Sequence, residues 1–295
     1  MAKEERLESK DTTRGYTYAL GWALLGGTVP VVSKLLVGDL NPIVASGLAV
    51  LLSGAILIPY KPKAIPRGEN AWLILGLSLA GATMAPILYF TGVKQSSAVN
   101  ASLLTNSEVL FTAVIGFGVF HESLRRRQLA EGLLIAAGVV VISANLQAGG
   151  VSFSQDVAGN ALLVGASIFW SIDNNLSRVA SQRVGISMVA KFKGLMGGSI
   201  TMLFLILSSS LAVPPTSLPL IATLAAIFTA MTLLSVGAFR LIGAVRTILV
   251  FSTSSILGPV FAFLVLGETI SPAQVVGGAL ILSGVYLIQR SETSR

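Results

Sequence analysis

Residues 103–122 read LLTNSEVLFTAVIGFGVFHE and residues 128–138 read QLAEGLLIAAG, while residues 252–288 read STSSILGPVFAFLVLGETISPAQVVGGALILSGVYLI. Sliding the first stretch onto the second by 146 positions puts Phe117 on Phe263, Glu122 on Glu268 and Gln128 on Gln274. Gly132 then meets Gly278, Ile135 meets Ile281 and Gly138-Val139 meets Gly284-Val285, all without a gap. Upstream, the same shift joins Ala98-Val99 to Ala244-Val245, Thr83 to Thr229 and the basic residues Lys94 and Arg240. A shift of 144 joins Ser33-Lys34 to Ser177-Arg178. Glycine-rich apolar chains match one another by chance, so the polar and charged coincidences carry the weight, and they point to an internal duplication.

The stretches around these matches are built for lipid. Of 295 residues 53% are apolar and only 11% charged, with a mean hydropathy of +0.81. A soluble domain carries roughly 25% charged residues. Reading the apolar runs between charges, prolines and glycines gives ten spans, with cores at 18–36, 43–60, 71–90, 98–120, 128–144, 158–177, 188–212, 218–240, 245–267 and 272–288. The expected fold is therefore an all-α membrane protein with two five-helix repeats. The expected boundaries are a polar tail at 1–16, a first repeat at 17–145, a connecting loop at 146–157, a second repeat at 158–290 and a tail at 291–295. The first sixteen residues lack the apolar core of a signal peptide. Basic loops stay in the cytoplasm, and with the N-terminus inside, all of the 20 Lys and Arg except Lys34 and Lys94 fall on the cytoplasmic side. Both termini are then cytoplasmic. The net charge of +7 is topological and implies no nucleic-acid partner. An odd number of spans per repeat forces the copies into the membrane from opposite sides, an inverted repeat of the kind alternating-access carriers use. The duplication could also serve only to build a symmetric bundle.

These signatures resemble the drug/metabolite transporter superfamily, EamA type. In that family the fourth and ninth spans end in a glutamate, here Glu122 and Glu268, and the next span opens Gln-x-x-Gly, here at Gln128 and Gln274. The first span, with Trp22 and Lys34, fits the same pattern, so the resemblance covers nearly the whole chain. It implies two inverted five-helix units around a central cavity, and export or exchange of small organic solutes, amino acids among them.

Charged groups deep in a bilayer cost roughly 2.5–3.5 kcal/mol on insertion scales and call for a reason. Glu108 lies about ten residues into the fourth span, near the midplane, within the run Ser102, Thr105, Asn106, Ser107 and Glu108. Its repeat mates include Phe251, Ser252, Thr253 and Ser254. The two runs read as facing walls of one cavity, or as hydrogen-bonding glue between helices. Asp173 and Asn174 in the sixth span are the second candidate. Asp173 could bind an amine or carry a proton, or form an ion pair that positions Arg178. Lys34 could draw a carboxylate, or snorkel to the headgroups. Lys191 and Lys193 read as topology anchors, and Glu122 and Glu268 as partners for backbone donors at the start of the following helix. Trp22 and Trp170 lie deep enough to line an aromatic-accepting pocket or simply to pack, whereas Trp72 fits the interfacial belt. The third, fourth, eighth and ninth spans would face a cavity with Thr83, Tyr89, Thr105, Glu108, Thr229 and Ser254.

The chain has no cysteine, which excludes thiolate catalysis and cysteine zinc sites, and its single histidine, His121, argues against a histidine metal site, so no cofactor is expected. The leading expectation is a carrier for a zwitterionic small molecule, held in the plasma membrane of a prokaryote, with a drug or cation exporter of the same fold as an alternative. A midplane glutamate permits proton coupling as well as exchange. Duplication within one chain makes a monomer sufficient. An intramembrane protease would have Asp173 and Glu108 as its only deep acids, outside any recognisable motif. A channel would need a filter or charged ring, for which the sequence offers nothing.

Overall fold

The computed structural model describes residues 2–60, 66–120, 126–143, 146–147, 150–151, 156–207 and 212–293. Among these the chain is helical almost throughout, apart from a two-residue antiparallel pair, Leu146–Gln147 with Gly150–Val151, inside the expected connecting loop. Helix α1 (Ala2–Asp39) includes the segment expected as a polar tail. It is followed by α2 (Pro42–Ala55), α3 (Glu69–Leu79), a π-turn at Ala80–Met84, α4 (Ala85–Gln95), α5 (Ala98–Leu104), α6 (Ser107–Phe120) and α7 (Arg126–Ser143). The second half comprises α8 (Asp156–Val184), α9 (Ile186–Leu207), α10 (Leu218–Ile242), α11 (Ala244–Phe251), α12 (Ser254–Phe261) with a π-turn at Ala262–Leu266, and α13 (Pro272–Thr293).

Five stretches are long and apolar enough to cross a bilayer: Asp11–Asp39, Glu69–Gln95, Ile186–Leu207, Pro215–Ile242 and Arg246–Leu266. Their outward faces carry runs of bare apolar side chains such as Leu203-Phe204 and Phe263-Leu264-Val265, a surface suited to lipid tails and not to water.

The duplication is visible as reciprocal packing. Helix α2 lies against its mate α9, where Gly54 meets the backbone of Gly194 and Leu195 while Gly198 meets that of Leu51. Gly47 meets Thr201 and Met202, so the two mates run antiparallel. Helices α7 and α13 repeat the arrangement, with Gly138 on Ile281 and Gly284 on Ile135. Small residues let backbones approach closely, which is how helices gain contact where apolar burial alone gives no preference over lipid. Two hydrogen bonds obey the same symmetry. Thr83 Oγ1 donates to the carbonyl of Gly197 at 3.2 Å, and its mate Thr229 Oγ1 donates to the carbonyl of Ser53 at 2.9 Å. The halves are thus related by a pseudo-twofold axis lying across the helices.

Candidate functional site

A cavity of about 140 Å³, counted as space for the centres of water-sized molecules, lies where elements of both halves meet. Its shape follows from a pair of broken helices. Between α5 and α6 the ladder tightens, with Glu108 N bonding Thr105 O at 3.1 Å and Val109 N bonding Asn106 O at 3.1 Å. The matching break separates α11 from α12, with Thr253 N on Val250 O at 3.1 Å and Ser255 N on Ser252 O at 3.1 Å. In each break the polar side chains turn back onto carbonyls of the preceding turn. Thr105 Oγ1 reaches Ala101 O at 2.8 Å, Ser107 Oγ reaches Leu104 O at 2.8 Å and Ser252 Oγ reaches Leu249 O at 2.6 Å. Irregular backbone at membrane depth survives only where protein satisfies it or it lines a cavity. The two breaks also touch: Asn106 Nδ2 donates to Ser255 Oγ, and Ser102 Oγ donates to Ser254 O at 3.4 Å.

The break at α6 sets Glu108 in the first turn of that helix, a position that favours negative charge. Its carboxyl faces the cavity and accepts a bond from Asn174 Nδ2 on α8. One residue earlier on α8, Asp173 forms an ion pair with Lys193 of α9 and accepts the Ser177 hydroxyl at 3.3 Å. Gly81, in the π-turn before Pro86, presses so close to the Asp173 carboxylate that a Cβ there would collide with it. The remaining walls are aromatic. Trp22 stacks on Phe251 with centroids 3.8 Å apart and packs edge-on to Phe239, and across the cavity Tyr89 meets Trp170 at 5.2 Å.

Of the residues expected at a solute site, Trp22, Tyr89, Thr105, Glu108, Trp170, Asp173, Asn174 and Ser254 converge on this cavity. Four do not line it. Asn106 bridges the two breaks, and Thr83 and Thr229 tie helices across the pseudo-axis. Lys34 donates to the carbonyls of Val93, at 2.9 Å, and Ser96, closing the end of α4 instead of meeting a solute or the headgroups.

Three further readings are corrected. Asp173 pairs with Lys193, not with Arg178, which is exposed. Lys193 is therefore a cavity group and not a topology anchor, while Lys191 reaches the carbonyls of Ile58 and Tyr60 at 2.9 and 3.1 Å. Glu268 does hold backbone donors, but those of α5 in the other half, Ala98 N at 2.9 Å and Val99 N at 3.0 Å. The following helix caps itself through Ser271 and Gln274. Glu122 and His121 lie outside the described residues. Phe251, which the repeat places in one of the two expected cavity walls but which was not among the expected solute contacts, also lines the cavity.

The EamA-like transporter family model matches residues 13–144 and 157–290. An "Uncharacterized transporter" of Methanothermobacter thermautotrophicus is 29% identical over 294 residues, covering 93% of this chain and 85% of its own length. A "Probable amino-acid metabolite efflux pump" of Salmonella typhimurium is 28% identical over 277 residues, covering 87% and 88%. A solved crystal structure superposes with a TM-score of 0.66 at 22% identity, over 96% of this chain and 97% of the other, a likeness of fold.

Proposed function

Because the chain belongs to the EamA-like transporter family, we propose that it moves small organic solutes, amino acids or related metabolites, by alternating access, in the direction of export or exchange. The protein is an integral multi-pass membrane transporter and not an enzyme, as its family and relatives are. In the proposed topology ten spans form two inverted five-span repeats, at 17–145 and 158–290, with both termini in the cytoplasm. The broken pairs α5–α6 and α11–α12 each count as one span. The setting is the plasma membrane of a prokaryote, which the bacterial and archaeal relatives support, and one chain suffices as the working unit.

The observation that carries the reading is the cavity itself, set where two broken, symmetry-related helices cross and lined by both halves. A site on a pseudo-twofold axis is equally reachable from both faces when the halves rock against each other. Glu108 and the Asp173–Lys193 pair supply polar anchors there, and Glu108 is also the group through which a proton could be coupled.

Counterflow in proteoliposomes tests this. Vesicles loaded with unlabelled solutes should accumulate the labelled form, with saturation, and Glu108→Gln should lower that uptake by about tenfold or more. Flux that does not saturate and shows no counterflow would mean a channel. No flux across a broad panel of amino acids, amines and organic acids, from protein that remains folded, would overturn the carrier reading.

A further inference from the structure

The charge on the cavity wall narrows the solute. Among the described residues, three formally charged side chains line it: Glu108, Asp173 and Lys193. The last two cancel, since Lys193 Nζ sits on Asp173 Oδ2 and Ser177 takes the other oxygen at 3.3 Å. Of the two carboxyls, Asp173 has its cation in Lys193 and Glu108 has none among the described residues. Glu108 is only 4% exposed. Its Oε1 accepts from a neutral amide, Asn174, and its Oε2 has no donor among the described residues. An ionised carboxylate held out of water without a partner costs several kcal/mol, so this carboxyl carries its charge only when a cation sits beside it.

The rest of the wall suits the same occupant. Trp22, Phe251, Tyr89, Trp170 and Phe228 present aromatic rings to the cavity, and ring faces attract cations while their bodies accept apolar groups. A carboxylate entering the site finds no free partner, because the one ammonium lining the cavity among the described residues is already occupied by Asp173.

Resting on the transporter reading, we propose that the solute is a monovalent organic cation, a protonated amine on an apolar or aromatic body without a free carboxylate, whose ammonium pairs with Glu108. Asp173 is the specificity determinant that keeps Lys193 from recruiting carboxylates. Within the class of amino acids and related metabolites, amines are thus preferred over the parent zwitterions.

The test uses purified full-length protein in detergent, with tryptophan fluorescence and thermal shift as readouts. The probes are 2-phenylethylamine and tryptamine against phenylalanine, tryptophan and 3-phenylpropionate. Amines should bind at least about tenfold more tightly than the zwitterions or the acid. Glu108→Gln should abolish that preference. Asp173→Asn should raise affinity for 3-phenylpropionate by roughly fivefold or more, because Lys193 is released. Should Asp173→Asn fold poorly, the double variant Asp173→Asn/Lys193→Met removes both charges, leaves Glu108 and should keep the amine preference. Equal or tighter binding of the zwitterions by wild type, amine affinity unchanged in Glu108→Gln, or no binding of any probe by folded protein would each overturn the assignment. Counterflow separates the two levels: amino-acid exchange without amine exchange sinks this inference alone, whereas no exchange of any solute sinks the carrier reading with it.

Discussion

Removing one member of the Asp173–Lys193 pair and removing both are different experiments. The lysine and aspartate side chains are 14% and 5% exposed, so each carries a charge that water cannot screen. Lys193→Met strands the aspartate and should lower stability by about 3–5 kcal/mol, whereas the double variant Asp173→Asn/Lys193→Met should recover most of that loss. Thermal unfolding in one detergent decides it; equal losses would mean that the two groups act independently. Gly81 belongs to the same cluster. A Cβ there meets the Asp173 carboxylate, so Gly81→Ala should push it off Lys193 and destabilise by about 1–3 kcal/mol. Gly76→Ala is the control, because its Cβ would sit 3.6 Å from Leu176 Cδ1, an ordinary contact, and it should be neutral or slightly stabilising. Glu108 was legible in the sequence because a carboxyl inside an apolar run has no inconspicuous explanation. Lys193 was not. It stands two positions from Lys191 near a span end, where hydropathy treats both as anchors, although residues two apart on a helix point in nearly opposite directions. Only packing against α8 shows which of them turns inward.

The start of α5 is held both by a local cap and by a distant one. The left-handed turn at Gly267, with φ 67°, ends the π-turn of the second half and leads into Glu268, whose carboxylate takes Ala98 N and Val99 N. Ser97 caps the same helix through Asn100 N at 2.9 Å, and Gln274 Nε2 reaches Asn100 Oδ1 at 2.8 Å. Lys34 closes the helix just before this turn. The glutamate and glutamine were readable from the repeat as boundary residues, since their symmetric spacing is a property of the chain alone. Their partners were not readable, because Glu268 bonds residues 169 and 170 positions away and nothing in a linear pattern encodes that approach. Glu268→Ala removes two acceptors at a helix start and should destabilise by about 1–2 kcal/mol, the range for lost N-caps. Amide hydrogen exchange at Val99 should accelerate in the variant, while exchange within α2 and α9 should stay unchanged. Uniform acceleration would mean that Glu268 supports the whole fold and not this junction.

At the scale of the molecule the bonds divide into two kinds. Those near the pseudo-axis come in pairs, Thr83 to Gly197 and Thr229 to Ser53, and both are made at once, so they do not distinguish one face of the bundle from the other. The Glu268 cluster lies at one end, and in the proposed topology that end faces out. If the halves rock about the axis, weakening this cluster should favour the state open to the outside. The absence of cysteine makes the test clean, because a single Ser254→Cys substitution places the only thiol of the chain on the cavity wall. A membrane-impermeant maleimide added to intact cells should label it slowly in the otherwise wild-type protein. Labelling should be faster by roughly fivefold or more when Glu268→Ala is added, the size of effect expected from moving a two-state equilibrium by about 1 kcal/mol. A transported solute should slow both rates by occupying the cavity. Faster labelling only in inside-out vesicles would reverse the proposed orientation while leaving the gating role of Glu268 intact. Equal rates in a variant that loses the predicted local protection at Val99 would show that these bonds hold α5 without controlling access.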